Sequence, residues 1–137
     1  MRAVIRAVVV LVALAGPAGA AEPVSQTFPV PVERAWTTTL AVLKHLGWDI
    51  DKEDRAIGWI TTDSRRVEGE DYGVYAKGTR HRLRVNVKAA GEGRTTITLE
   101  RSVFKRERIL WMDSDEPLTT TDQTVEKAVL SAIGKSL

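Results

Sequence analysis

At 137 residues without a cysteine, the chain has the length of one modest domain, and it excludes disulfides, thiolate catalysis and cysteine-ligated zinc. Its formal net charge is +2, yet two of its twenty Lys and Arg residues, Arg2 and Arg6, sit in an N-terminal stretch expected to be removed, leaving eighteen against eighteen acidic residues. A balanced domain lacks the surplus of cations that neutralises phosphates, so no nucleic acid partner is expected.

Arg2 and Arg6 flank the start of an apolar run over residues 7–14, followed by Gly16, Pro17 and the small residues Ala18, Gly19 and Ala20. This is the pattern of a cleaved export signal over residues 1–20. The run is well short of the roughly 20 apolar residues that span a bilayer. Residues 21–137 are therefore expected to form a single domain, exported to the periplasm after a cut near Ala20. With no cysteine to carry a lipid, no lipid anchor is expected.

A weak alternation over residues 24–28 reads as a first strand, ended by Pro29 and Pro31, which cannot donate to a ladder. A helix is expected over residues 32–46. Val32, Trp36, Leu40, Leu43 and Leu46 recur at helical spacing, with Glu33 in the first turn and Lys44 and His45 in the last. Gly47 stands where a left-handed stop belongs. Trp48, Ile50 and Lys52 alternate as a short strand, and after a charged turn a third strand is expected over residues 58–66. There Ile60, Thr62 and Ser64 share one face and Trp59 takes the other. Residues 67–79 read as a long loop.

The next two strands carry the plainest pattern. Leu83, Val85 and Val87 alternate with Arg82, Arg84, Asn86 and Lys88, while Ile97, Leu99 and Val103 alternate with Thr96, Thr98 and Glu100. Residues 90–93, Ala-Gly-Glu-Gly, form the hairpin link. Each strand has one apolar and one polar face, as in an antiparallel sheet covered on one side. Residues 105–116 read as a second loop, opening with further strand through Ile109 and Trp111. A capping box of Thr120 and Gln123 is expected to start a last helix whose buried stripe is Val125, Ala128, Val129, Ile133 and Leu137. The order β-α-β-β-β-β-α predicts an α+β fold, an antiparallel sheet with both helices packed on one face in a helix-grip-like arrangement.

No residue pattern marks catalysis. His45 lies off the apolar stripe, and His81 stands between Arg80 and Arg82, a cationic setting that disfavours a metal ion. Asp49, Asp51, Glu53 and Asp54 crowd a turn, but Lys52 and Arg55 interrupt them and calcium-loop spacing is absent. There is no nucleophile-elbow serine and no phosphate-binding glycine loop. No catalytic residue, metal ligand or cofactor is expected. The basic residues are more telling. Arg82, Arg84 and Lys88, with Arg101 on the neighbouring strand, are expected to make a positive patch on the open sheet face, suited to an acidic partner or an anionic surface. Trp59 and the loop over residues 71–77 are placed near it, since tryptophan is enriched at binding hot spots.

Three short segments, FPVPVERAW from Phe28, LGWDI from Leu46 and IGWITT from Ile57, resemble the repeated domain of BamC-like proteins, the NlpB/DapX family of the outer-membrane β-barrel assembly machinery. The resemblance implies a helix-grip domain without catalytic residues. The expected function is thus a non-enzymatic periplasmic binding or adaptor module of the cell envelope, linked to outer-membrane protein assembly, with an envelope protein as partner. The alternative is a helix-grip carrier holding a small apolar ligand or lipid between sheet and terminal helix.

Overall fold

The structure is a computed structural model that describes residues 22–67 and 78–137. The expected export signal and the loop over residues 71–77 lie outside the described residues. The elements run β1 (Val24–Phe28), α1 (Val32–His45), β2 (Ile50–Asp54), β3 (Trp59–Thr62), β4 (Arg65–Arg66), β5 (Thr79–Ala89), β6 (Thr95–Ile109), β7 (Met112–Leu118) and α2 (Thr124–Ser136). All strand pairs are antiparallel, in the order β1-β6-β5-β3-β2, with β4 added beside β5 and β7 beside β6. Both helices pack on one face, so the α+β architecture read from the pattern holds.

The period-two pattern explains the covered face. Leu83, Val85 and Val87 of β5 and Ile97 and Leu99 of β6 are buried there with Ile60 of β3. Against them lie Ala35, Trp36, Val42 and Leu43 of α1 and Val129, Leu130 and Ile133 of α2, in one continuous core. Each fully buried aliphatic side chain contributes about 1.5–3 kcal/mol relative to exposure. The stripe of α1 is rotated from the one expected. Val32 and Leu40 are only half-buried and Leu46 is 38% exposed, while Ala35, Thr39 and Val42 point inward. Small residues let the helix approach the sheet on that side.

Gly47 ends α1 as anticipated. Its φ of +88° lets its N–H reach the Lys44 carbonyl and that of Trp48 reach the Leu43 carbonyl, the paired bonds that close a left-handed helix stop. The chain thereby delivers Trp48, 3% exposed, into the core.

Two expectations need correction. Residues 105–116 are no loop: β6 runs on to Ile109 and turns directly into β7, pairing Val103 with Leu118 through to Ile109 with Met112. The β5 pairing of β6 ends at Lys105, opposite Thr79. Beyond it, β6 and β7 continue as a two-stranded ribbon with no further described strand beside it. The last helix also starts later than expected, and without the box. The N-cap position falls on Gln123, whose side chain makes no cap, and just before it the Asp122 carboxylate accepts from the Thr124 N–H and hydroxyl at 2.9 and 2.6 Å. Gln123 instead donates to the Glu22 carbonyl at 3.0 Å.

Candidate functional site

The uncovered face of the sheet is built from the polar half of the same alternation. On β5, Arg82, Arg84 and Lys88 are exposed and Asn86 is half-buried. On β6, Thr96, Thr98, Glu100, Ser102 and Phe104 share that side, and on β3 so do Trp59 and Thr61. Register sets neighbours: Thr61, Arg84 and Glu100 stand in one row, and Arg82 lies opposite Ser102. Sequence reasoning placed Arg82, Arg84 and Lys88 on this face with Trp59 near it, and the structure sets all four on it.

Planar cations lie over aromatic rings across the face. The Arg84 guanidinium is 6.0 Å from the Trp59 ring centroid. Arg82 and Arg106 both cover Phe104, at 5.0 and 5.5 Å. Phe104 is thereby only 7% exposed although it stands on the uncovered side. It was missed as a site residue; the adjacent pair Val103-Phe104, one apolar side chain for each face, is the signal that could have found it. Arg106 is held by Asp115, with N–O distances of 2.9 and 3.3 Å. That hydrogen bond raises the Arg106 pKa and holds the Asp115 carboxyl below the usual range.

A notch opens where β3 leaves β5. Regular pairing ends at Thr61 with Arg84 and resumes with β4 at Arg65 and His81. In between, the Leu83 N–H donates to the Thr62 hydroxyl at 2.9 Å, and Arg80 holds the Ser64 hydroxyl and carbonyl at 2.9 and 2.7 Å. Two polar recesses flank this point. One, of about 190 Å³, is lined by Lys52, Trp59, Arg82 and Arg84 among others. The other, of about 390 Å³, has Asp51, Asp63, Ser64, Arg82 and Arg106 on its walls. Arg82 belongs to both recesses, and carboxylates and guanidinium groups alternate around them.

Arg101 is not part of this surface. The expectation that it joins Arg82, Arg84 and Lys88 on the open face is overturned by its parity with Ile97, Leu99 and Val103, which turns it inward to 1% exposure. There its Nε meets Glu126 Oε1 of α2 at 2.9 Å, its Nη2 donates to the Asp122 carbonyl at 3.0 Å, and its Nη1 lies 3.3 Å from His81 Nδ1. Glu126 is fully buried. His81 is 5% exposed and packs against Trp48, the ring centroids 4.7 Å apart and the planes tilted by 49°, while the Arg65 guanidinium lies 4.6 Å from the same tryptophan ring. Burial, then the charges of Arg101, Arg65 and Arg80, lowers the His81 pKa to about 4. The neutral ring accepts at Nδ1 from Arg101, which leaves Nε2 as the N–H. Nε2 of His81 and Oε2 of Glu126 have no partner among the described residues. This layer ties β6 to α2 and to the end of α1, and none of the recesses above reaches it.

Among the described residues no group of three His, Asp or Glu side chains is arranged to hold a metal ion. No protein-family model and no curated protein matches the chain.

Proposed function

We propose that the protein is a binding module of the cell envelope that engages an acidic partner protein through the open face of its sheet, without catalytic chemistry of its own. The observation that carries this reading is the row of guanidinium groups laid over Trp59 and Phe104 on a face that no described element covers. Of these, Arg82 and Arg84 rest against rings while staying exposed, and are open to carboxylates of a partner. Each exposed cation–ring contact contributes about 0.5–1 kcal/mol to that arrangement. The BamC-like segments and the export pattern motivate the envelope and the link to outer-membrane protein assembly.

The carrier reading has less support. The space between the sheet and the helices is filled by Trp36, Leu43, Leu83, Leu99, Leu130 and Ile133. A groove of about 510 Å³ between β1 and α2 opens to the surface beside Lys127 and Lys135 rather than entering the core.

The test is retention on a polyanion matrix across a salt gradient, joined to capture from envelope extracts. Arg82→Glu/Arg84→Glu is expected to elute at lower salt than wild type and to lose any captured partner. Identical elution and identical capture by the variant would remove the open face as the working surface.

A further inference from the structure

The ribbon of β6 and β7 ends in an unusual turn. Register pairs Ile109 with Met112, so Leu110 and Trp111 are the two central residues of a tight hairpin. Leu110 has a φ of +59°, and the only other positive-φ residues described are glycines. A two-residue hairpin with a left-handed first residue favours glycine there, and a small polar residue at the next position. This chain instead carries leucine and tryptophan, 80% and 79% exposed, followed by Met112 at 64%. Local folding would be served better by Gly-Ser. The hairpin thus exposes large apolar side chains at a position where they also strain the backbone, and it does so at the tip of a projecting ribbon.

We propose that this tip, Leu110-Trp111-Met112, inserts into the interfacial region of a phospholipid bilayer. Three considerations select that occupant. The tip is small: three side chains at these exposures present on the order of 400–500 Å² of surface, against about 800 Å² per partner in a stable protein interface. A second copy of the chain would therefore need contacts beyond the tip. A bilayer accepts an isolated apolar wedge, and tryptophan is the side chain enriched at the level of the headgroups. Finally, charge behind the tip is compensated: Lys105 pairs with Glu107 at 2.7 Å and Arg106 with Asp115 at 2.9 Å. No strong field of one sign opposes approach to a headgroup layer. Three side chains at the end of one turn make the contact a shallow one.

Co-sedimentation with phosphatidylcholine vesicles in 0.5 M salt tests this apart from the open face, whose attraction to acidic groups is screened under those conditions. Wild type is expected to bind. Leu110→Gly/Trp111→Ser is expected to keep its circular dichroism and at least the wild-type Tm, while its partition coefficient falls about tenfold or more, the scale of losing one large buried side chain. Trp111→Phe, which keeps an apolar ring, is expected to retain most of the binding. Absence of wild-type binding, or equal binding by the glycine–serine variant, overturns the proposal. So does a change confined to oligomeric state on gel filtration, which would assign the tip to a second copy.

Discussion

Replacing Glu126 by leucine leaves the Arg101 guanidinium in the core with its charge and without its carboxylate. At 1% exposure the group has no route to water, and what remains to it is the Asp122 carbonyl at 3.0 Å and the neutral His81 ring at 3.3 Å. Breaking a buried ion pair from one side costs about 3–5 kcal/mol, because the surviving charge stays desolvated and uncompensated. Domains of this size have about 5–15 kcal/mol in total, so the loss is a large fraction of the whole. With a urea m-value of about 2 kcal/mol/M, the midpoint should fall by about 2 M. Removing both partners is a different perturbation. Arg101→Met/Glu126→Leu takes out the stranded charge and fills the space with apolar atoms, and it should return to within about 2 kcal/mol of wild type. Urea unfolding followed by tryptophan emission measures all four corners of the cycle, and Trp48 reports on the same layer. A single-variant cost below about 1 kcal/mol, or a double variant no more stable than Glu126→Leu, would refute the assignment of this pair as the tie between β6 and α2.

Two further outcomes follow from the same coordinates. His81 has its pKa lowered from 6.5 to about 4, so both folded and unfolded chains hold it neutral above pH 6.5 and its contribution is then complete. Between pH 6.5 and 4 the unfolded chain takes up the proton first, and stability should fall by about 3 kcal/mol across that window. The depressed carboxyls of Asp115 and Asp122 act at lower pH, as acid overtakes the ordinary aspartate range. His81→Gln keeps an acceptor for Arg101 without the titration, so its stability profile should be flatter from pH 6.5 to 4; parallel profiles would show that His81 does not titrate there. At Gly58, φ is +77° and a Cβ would stand 2.3 Å from the Val87 carbonyl oxygen. Gly58→Ala should cost at least about 2 kcal/mol and lower Tm by about 8 °C or more, checked by thermal melts, and a Tm within 2 °C of wild type would contradict the close approach.

The parts of the fold that were legible are those where one physical signal acts alone. Leu83, Val85 and Val87 alternate with charges, and only a half-covered strand accommodates that. Gly47 after Lys44 and His45 admits one reading, a left-handed stop. Arg101 was misplaced because its charge was weighed above its parity: Ile97, Leu99 and Val103 already fixed its side of the strand. Glu126 was missed for the same reason, since it lies three, four and seven residues before Val129, Leu130 and Ile133, the buried stripe of α2. Each residue looks like surface when read singly. Only the pair explains why both are inside, and a pairing across 25 residues has no local signature. The ribbon was read as a loop because its turn lacks the glycine or asparagine that announces a hairpin. A site residue such as Phe104 was hidden because two arginines, rather than other apolar groups, cover it.

Arginine is therefore used in two opposed ways on one sheet, and the contrast bears on how the protein works. Arg101 is locked by a carboxylate, a carbonyl and a ring nitrogen in a medium that salt does not reach. Its free energy is spent on register between strand and helix. Arg82 and Arg84 lie over rings but keep exposed edges, within reach of counterions that screen them over about 10 Å at 0.1 M salt. A partner held by them is held reversibly, and releasing it needs no change in the core. The proposed insertion of the ribbon tip would add a contact that salt does not weaken, because it would rest on apolar area rather than charge. On the two proposals together, anchoring and partner exchange would fall to different physical forces, and a module using both would stay at a membrane surface while its partners come and go.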